Sequence, residues 1–236
     1  TEETIRTIRK AADAGIIIVP TSGRPLTCLP YQMTQEKGLY RYTITSNGAQ
    51  VVDLEEKKTL FRMLMKRERV VQFLRECEEL NVVRMTHIQH RYVMEGPLME
   101  VAGRIVYGRD VDGIRRVNDI EEVQVYFFSG RTRRKVAEIL EGYPEFSSAF
   151  GSKYVEIFAK NTSKGTALNA LASRLGIAKE EIACIGDSAN DLPMFEAAGL
   201  KIAMGNAVPE LKKKADIVAY SNHIDGAAKA IEQYIL

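Results

Sequence analysis

From Glu180 to Ile235 the chain alternates strand-like and helix-like segments in the order EEIACIGD, LPMFEAAG, LKIAMG, VPELKKKA, DIVAY, DGAAKAIEQYI. No other feature narrows the possible folds so far. Strands joined through helices run parallel, and such crossovers are right-handed, so the pattern predicts a doubly wound α/β sheet. The same rhythm opens the chain. TEETIRTIRKAADAG places Ile5, Ile8 and Ala12 on one helical face, with Thr1 as a cap and Gly15 as a stop. IIIVP follows and reads as a parallel strand buried on both faces. TSGRP is a turn, followed by a helix-like stretch through YQMTQEKG. YRYTITSNGAQVVD then reads as two strands around an Asn-Gly turn.

The middle of the chain differs. KRERVVQFLRECEELN is amphipathic, with Val70, Val71, Leu74, Cys77 and Leu80 on one side. VVRMTHI and HRYVME suggest a hairpin, IEEVQVYFFSG a strand, TRRKVAEILEGY a helix, and SSAFGSKYVEIFA one or two strands. The aromatic residues of VYFFSG read as core. Strands alternating irregularly with two helices suit an α+β module. KGTALNALASRLGI, a helix with Leu168, Leu171, Ala172 and Leu175 on one side, returns the chain to its first rhythm. The expected organisation is an α/β core over residues 1–57 and 160–236 and an α+β insert over 58–159, with linkers near Glu55–Thr59 and Ala159–Ser163.

Composition excludes several classes. A net charge of +2 offers no electrostatic case for nucleic acid or a membrane surface. No apolar run approaches the ~20 residues needed to span a bilayer. The polar opening TEETIRTIRK is no signal peptide. Cys28, Cys77 and Cys184 are few and widely separated, which points to a reducing cytoplasm.

Ligands of parallel α/β sheets bind beyond the carboxyl ends of the strands, and four stretches put chemistry at a strand end or a helix start. In CIGDSANDLPMF, Asp187 ends a strand, and Asn190 and Asp191 follow in the loop. Such hard oxygens suit a magnesium ion that keeps waters and takes phosphate oxygens. They equally suit capping of the helix near Leu192. In VPTSGRP, the Ser22 hydroxyl, the N–H groups of Gly23 and Arg24 and the Arg24 guanidinium can converge on an anion, although an ordinary Ser-Gly turn has the same letters. NTSKGTAL puts Lys164 at a helix start, where a cation opposes the helix dipole unless an anion sits between them. Thr162 and Ser163 are ordinary capping residues, and a solvated lysine is the plain alternative. TSNGA brings Asn47 to another strand end, or simply to a hairpin turn. Together, a hydroxyl, a lysine and a magnesium carboxylate are what a phosphoryl-transfer centre needs to hold equatorial oxygens.

TSGRP, TSNGA, SKGTAL, GDSANDLPMF, IAMGNAVPELKKKAD and DGAAKAI resemble successive blocks of the haloacid dehalogenase superfamily. They are similar in particular to its Cof-like sugar-phosphatase branch, which carries an α/β cap of the C2B type inserted in a Rossmann-like core. The resemblance implies a phosphatase acting on a small phosphorylated metabolite with Mg2+. By position, Ser22 matches the phosphate-binding hydroxyl, Lys164 the lysine that steadies phosphate and nucleophile, and Asp187 the magnesium carboxylate. Asn190 and Asp191 match polar positions supporting the metal. Gly23, Arg24 and Asn47 border the substrate. A cytoplasmic monomer or weak homodimer is expected.

Enzymes of this family form a phosphoaspartate on an Asp-x-Asp motif that ends the first core strand, ahead of the helix matching Thr1–Ala14. The expectation is therefore that this motif lies upstream of the sequence. RDVDG, with Asp110 and Asp112, lacks a preceding buried strand and is not a candidate. A non-catalytic sugar-phosphate-binding protein and a phosphomutase are the rival readings. His87 and His90, three apart in a strand-like stretch, point to opposite faces and are not expected to share a metal.

Overall fold

The structure is a computed structural model that describes residues 1–31, 39–80, 82–88, 91–95 and 118–236. His90, Asp110, Asp112 and most of YQMTQEKG lie outside the described residues, as does the side chain of His87. The chain divides into two compact units. The first comprises Thr1–Gly23, Leu29–Phe61 and Ser163–Leu236; the second comprises Arg24–Cys28 and Arg62–Thr162.

The first unit opens with α1 (Glu2–Asp13), whose amino end is capped by the Thr1 hydroxyl accepting from Thr4 N–H. IIIVP does not form the expected buried strand. It is an extended segment with one parallel bridge, Thr21 to Ile44. Ile44 N–H donates to Pro20 O at 3.0 Å and Ser22 N–H to Ile44 O at 2.9 Å. Beyond this bridge to β1 (Tyr42–Thr45), no other from residues 16–21 forms among the described residues, and Ile17 is left 47% exposed. β1 pairs antiparallel with β2 (Gln50–Asp53), and β3 (Lys58–Arg62) completes this three-stranded sheet. The turn between β1 and β2 is tight. Ser46, Asn47 and Gly48 take φ of 48°, 54° and 100°. At Gly48 a Cβ would collide with the Ser163 carbonyl, so glycine lets this turn lie against the start of the helix that follows Ser163.

The second unit contains β4 (Met65–Lys66), α2 (Arg67–Glu76), β5 (Val83–Ile88), β6 (Arg91–Glu95), β7 (Asp119–Ile120), β8 (Glu122–Tyr126), α3 (Gly130–Leu140), β9 (Phe146–Phe150) and β10 (Tyr154–Ala159). Its main sheet is five-stranded and antiparallel, in the order β6-β5-β8-β10-β9. Val123, Val125, Val155 and Ile157 alternate onto one face and pack with Val70, Phe73, Leu74 and Val136 of the two helices. Phe73, Tyr143 and Phe146 make edge and stacked contacts within this core. VYFFSG is only half core, because Phe127 is buried while Phe128 is 80% exposed.

The chain then returns to the first unit with α4 (Lys164–Leu175), β11 (Ala183–Gly186), α5 (Leu192–Ala197), β12 (Leu200–Ala203), α6 (Pro209–Lys214), β13 (Ile217–Val218) and α7 (Gly226–Tyr234). β11, β12 and β13 form the expected parallel sheet in sequence order. Its core is small: Cys184, Met194, Phe195, Ala198, Ala203, Met204, Ala207 and Leu211. Ala167 and Leu171 of α4 pack against Tyr42, Ile44 and Val51. The Asp225 carboxylate accepts from the hydroxyls of Thr1 and Thr4, which joins the amino ends of α1 and α7 and holds this carboxyl below its usual range. No helix of the described residues is long and apolar enough to cross a membrane.

Candidate active site

At the carboxyl end of β11 the backbone makes a sharp loop, and Asp191 organises it. One oxygen, Oδ2, accepts from the N–H groups of Asp187 at 2.9 Å and Ser188 at 3.0 Å. The other, Oδ1, accepts from Lys164 Nζ at 2.6 Å. Lys164 and Asp191 are only 6% and 5% exposed. A buried charge is tolerable only when paired and hydrogen-bonded, and this pair meets both conditions. The Asp191 carboxylate also answers the problem posed by a cation at a helix start, because the chain itself supplies the anion beside Lys164. Capping of α4 falls to Ser163, whose hydroxyl accepts from Thr166 N–H at 3.0 Å. Asp191 does not cap α5 with its side chain.

The loop is stitched to the turn after β1. Asn190 Nδ2 donates to Asn47 Oδ1 at 2.8 Å. Asn47 N–H donates to Ser22 O at 3.1 Å, and Gly23 packs so closely on Asn47 that a Cβ would lie 3.0 Å from its amide atoms. The left-handed Asn47 backbone is the strained link in this chain of contacts, and asparagine is among the residues that tolerate it. Ser22, Gly23, Asn47, Lys164, Asp187, Asn190 and Asp191 thus all belong to the first unit, and hydrogen bonds run from Ser22 through Asn47 to the Asn190 loop. Arg24 is exposed and is grouped with the second unit.

Asp187 is half-buried and keeps its carboxylate at the rim of the loop. Oδ1 accepts from Ser188 Oγ at 3.1 Å, and Oδ2 from Asn206 Nδ2 at 3.1 Å. Asn206 received no role from the sequence, although it stands inside the AMGNA block. Its contact with Asp187 crosses 19 residues, and only the pairing of β11 with β12 makes them neighbours. No group of three or more His, Cys, Asp or Glu side chains clusters as a closed metal cage among the described residues.

The geometry is a polar loop cluster at the carboxyl end of β11, with a buried lysine and a half-buried carboxylate, and known proteins share the fold that carries it. A family model for haloacid dehalogenase-like hydrolases matches residues 1–231. The chain is 28% identical over 237 residues to the 5-amino-6-(5-phospho-D-ribitylamino)uracil phosphatase YcsE of Bacillus subtilis (strain 168), covering 100% of this chain and 88% of that protein. A haloacid dehalogenase-like hydrolase from Bacteroides thetaiotaomicron superposes with a TM-score of 0.83 at 24% identity, covering 99% of this chain and 92% of that one. The subclass IIB sugar phosphatase BT4131 superposes with a TM-score of 0.79 at 22% identity, covering 99% and 91%. The doubly wound core and polar rim therefore have a family: the chain belongs to the haloacid dehalogenase-like hydrolases, in their Cof-like branch, and is a phosphoric monoester hydrolase.

Proposed function

We propose that the protein hydrolyses a small phosphorylated metabolite of the sugar-phosphate class, with Mg2+, through a phosphoaspartate. The observation that carries this reading is the buried Lys164–Asp191 pair at 2.6 Å beside the Asp187 carboxylate. A lysine ammonium has three N–H donors, so one spent on Asp191 leaves others for a phosphate oxygen. The Ser22 hydroxyl and the Gly23 N–H are assigned to the remaining equatorial oxygens, and Asn47 to the border of the substrate. Asp187 and the Asn190 Oδ1 are the residues that would hold the cation. The donor set fits magnesium, which binds through one or two carboxylates and completes its shell with water and phosphate oxygens. Bound there, the ion would supply neutralisation of the phosphoryl oxygens. Asp191, with both oxygens engaged, is assigned to Lys164 rather than to the cation.

An Asp-x-Asp motif of the kind the family uses is assigned the covalent work. Its first carboxylate attacks phosphorus and displaces the ester oxygen. Its second protonates the departing alcohol, then takes a proton from the water that cleaves the acyl phosphate. The relatives named for a ribitylaminouracil phosphate and for sugar phosphates support a polyhydroxylated leaving group. A cytoplasmic setting and a monomer or weak homodimer complete the reading. The test is hydrolysis of an aryl phosphate by the full-length protein across a magnesium titration. Activity should require the metal and fall at least about 100-fold in Asp187→Ala. Turnover that persists in Asp187→Ala without added magnesium would refute the assignment.

A further inference from the structure

We propose that Asn206 is a positioning residue that holds the Asp187 carboxylate in the orientation in which it binds a divalent cation; this rests on the magnesium reading above. Asn206 is engaged at both ends of its amide. Nδ2 donates to Asp187 Oδ2 at 3.1 Å, and Oδ1 accepts from Asn222 N–H at 3.0 Å. An amide used in this way has only one orientation that satisfies both partners, so the donor must face Asp187. The backbone beside it is held as well. Gly205 N–H donates to Tyr220 O at 3.0 Å, and Gly205 O accepts from Lys212 Nζ at 2.6 Å. Three elements therefore fix Asn206: α6 through Lys212, the strand-end backbone at Tyr220, and the 3-10 turn Asn222–Ile224.

Among the described residues Asp187 has no comparable restraint on its other oxygen. Oδ1 is met by Ser188 Oγ, the hydroxyl of the adjacent, exposed residue. Rotation of the carboxylate about its Cβ–Cγ bond is thus opposed chiefly by a side chain anchored outside the loop. Each carboxylate oxygen accepts more than one bond, so the Asn206 contact orients Oδ2 without closing it to a cation. Hydrogen-bond partners of this kind, one step behind a ligating carboxylate, set its aim and are worth about 10–100-fold in metal affinity.

The experiment uses the full-length protein. Mn2+ binding is measured by electron paramagnetic resonance, and the Mg2+ activation constant and KM for an aryl phosphate are measured in parallel. Asn206→Ala should raise both metal constants about 10-fold or more while KM at saturating Mg2+ stays within about twofold. Lys212→Met, which frees the Gly205 carbonyl but leaves Asn206 in place, should raise the metal constants less and provides the reading should Asn206→Ala not fold. Metal constants unchanged from wild type in Asn206→Ala overturn the proposal alone. A rise in KM equal to the rise in the metal constants overturns it too, because general loop damage moves both. Wild-type protein that binds no Mn2+ and needs no Mg2+ overturns the functional reading and this inference with it.

Discussion

In the first unit, Lys164 and Asp191 meet at 2.6 Å with side chains only 7% and 6% exposed, whereas in the second unit Arg69 and Glu145 meet at 2.5 Å with side chains 38% and 42% exposed. The two ion pairs are alike in length and unlike in consequence. Water screens the second pair, so either partner can lose the other cheaply. In the first pair water cannot replace the partner, so removing Asp191 strands the buried Lys164 charge. The cores differ in the same direction. The second unit is held by Phe73, Tyr143, Phe146 and alternating valines, while the parallel sheet of the first rests on Phe195 and Leu211 set among alanines and methionines. Carboxylates are buried in both units, Glu121 and Glu122 in the second and Asp53 and Asp191 in the first, but the buried Lys164–Asp191 ion pair lies in the first unit, at the candidate active site.

The largest expected break in this comparison is Asp191→Ala. It leaves Lys164 buried without a partner and the amides of Asp187 and Ser188 without an acceptor, so it should destabilise by about 3–5 kcal/mol in chemical denaturation and abolish metal-dependent turnover. Phe73→Ala should cost about as much, roughly 3–5 kcal/mol, through a cavity in the aromatic core. It should leave Mn2+ binding unchanged at temperatures where the variant is folded, which separates apolar stability from the site. Lys164→Met is expected to be milder, about 1–3 kcal/mol, because Asp191 keeps its two backbone donors. It should nevertheless weaken inhibition by inorganic phosphate.

Acid sharpens the comparison within the first unit. Burial alone would raise the Asp53 carboxyl, but the N–H groups of Glu56 and Glu55 and the Arg41 guanidinium outweigh it and hold the group below its ordinary range. A carboxyl depressed in the folded state stabilises above its unfolded pKa of about 3.9 and loses that contribution as pH falls through the lower folded value. Wild type should therefore lose more stability than Asp53→Asn on going from neutral to strongly acid pH, measured by thermal melting. The smallest effect is expected for Glu145→Gln, at about 0.2–1 kcal/mol, since its partner is half in water. A loss as large as that of Asp191→Ala would erase the distinction between the two pairs.

Much of the fold is legible in the letters because period and punctuation are local. The helix of Lys164–Leu175 and its Ser163 cap follow from a single window of sequence, although its end at the left-handed Gly176 comes two residues earlier than that window suggests. So do the three parallel strands from Ala183 to Val218. IIIVP misled because β-branched composition reports a preference for extended backbone, whereas a strand also needs a partner over several residues; among the described residues the one bridge here is made by Thr21, just past IIIVP, with Ile44. Phe128 misled for a related reason, since alternation along β8 does not continue past its end at Tyr126.

The sequence by itself determined which residues are chemically able to act: a hydroxyl at Ser22, a cation at Lys164 and carboxylates at Asp187 and Asp191, each beside a strand end or helix start. Only the tertiary structure decided how the carboxylates divide the work. Asp191 faces the interior and neutralises Lys164, while Asp187 stays at the rim, steadied by Asn206. The two carry the same functional group four residues apart, and no local pattern separates them. Burial and the partners brought in from distant parts of the chain do.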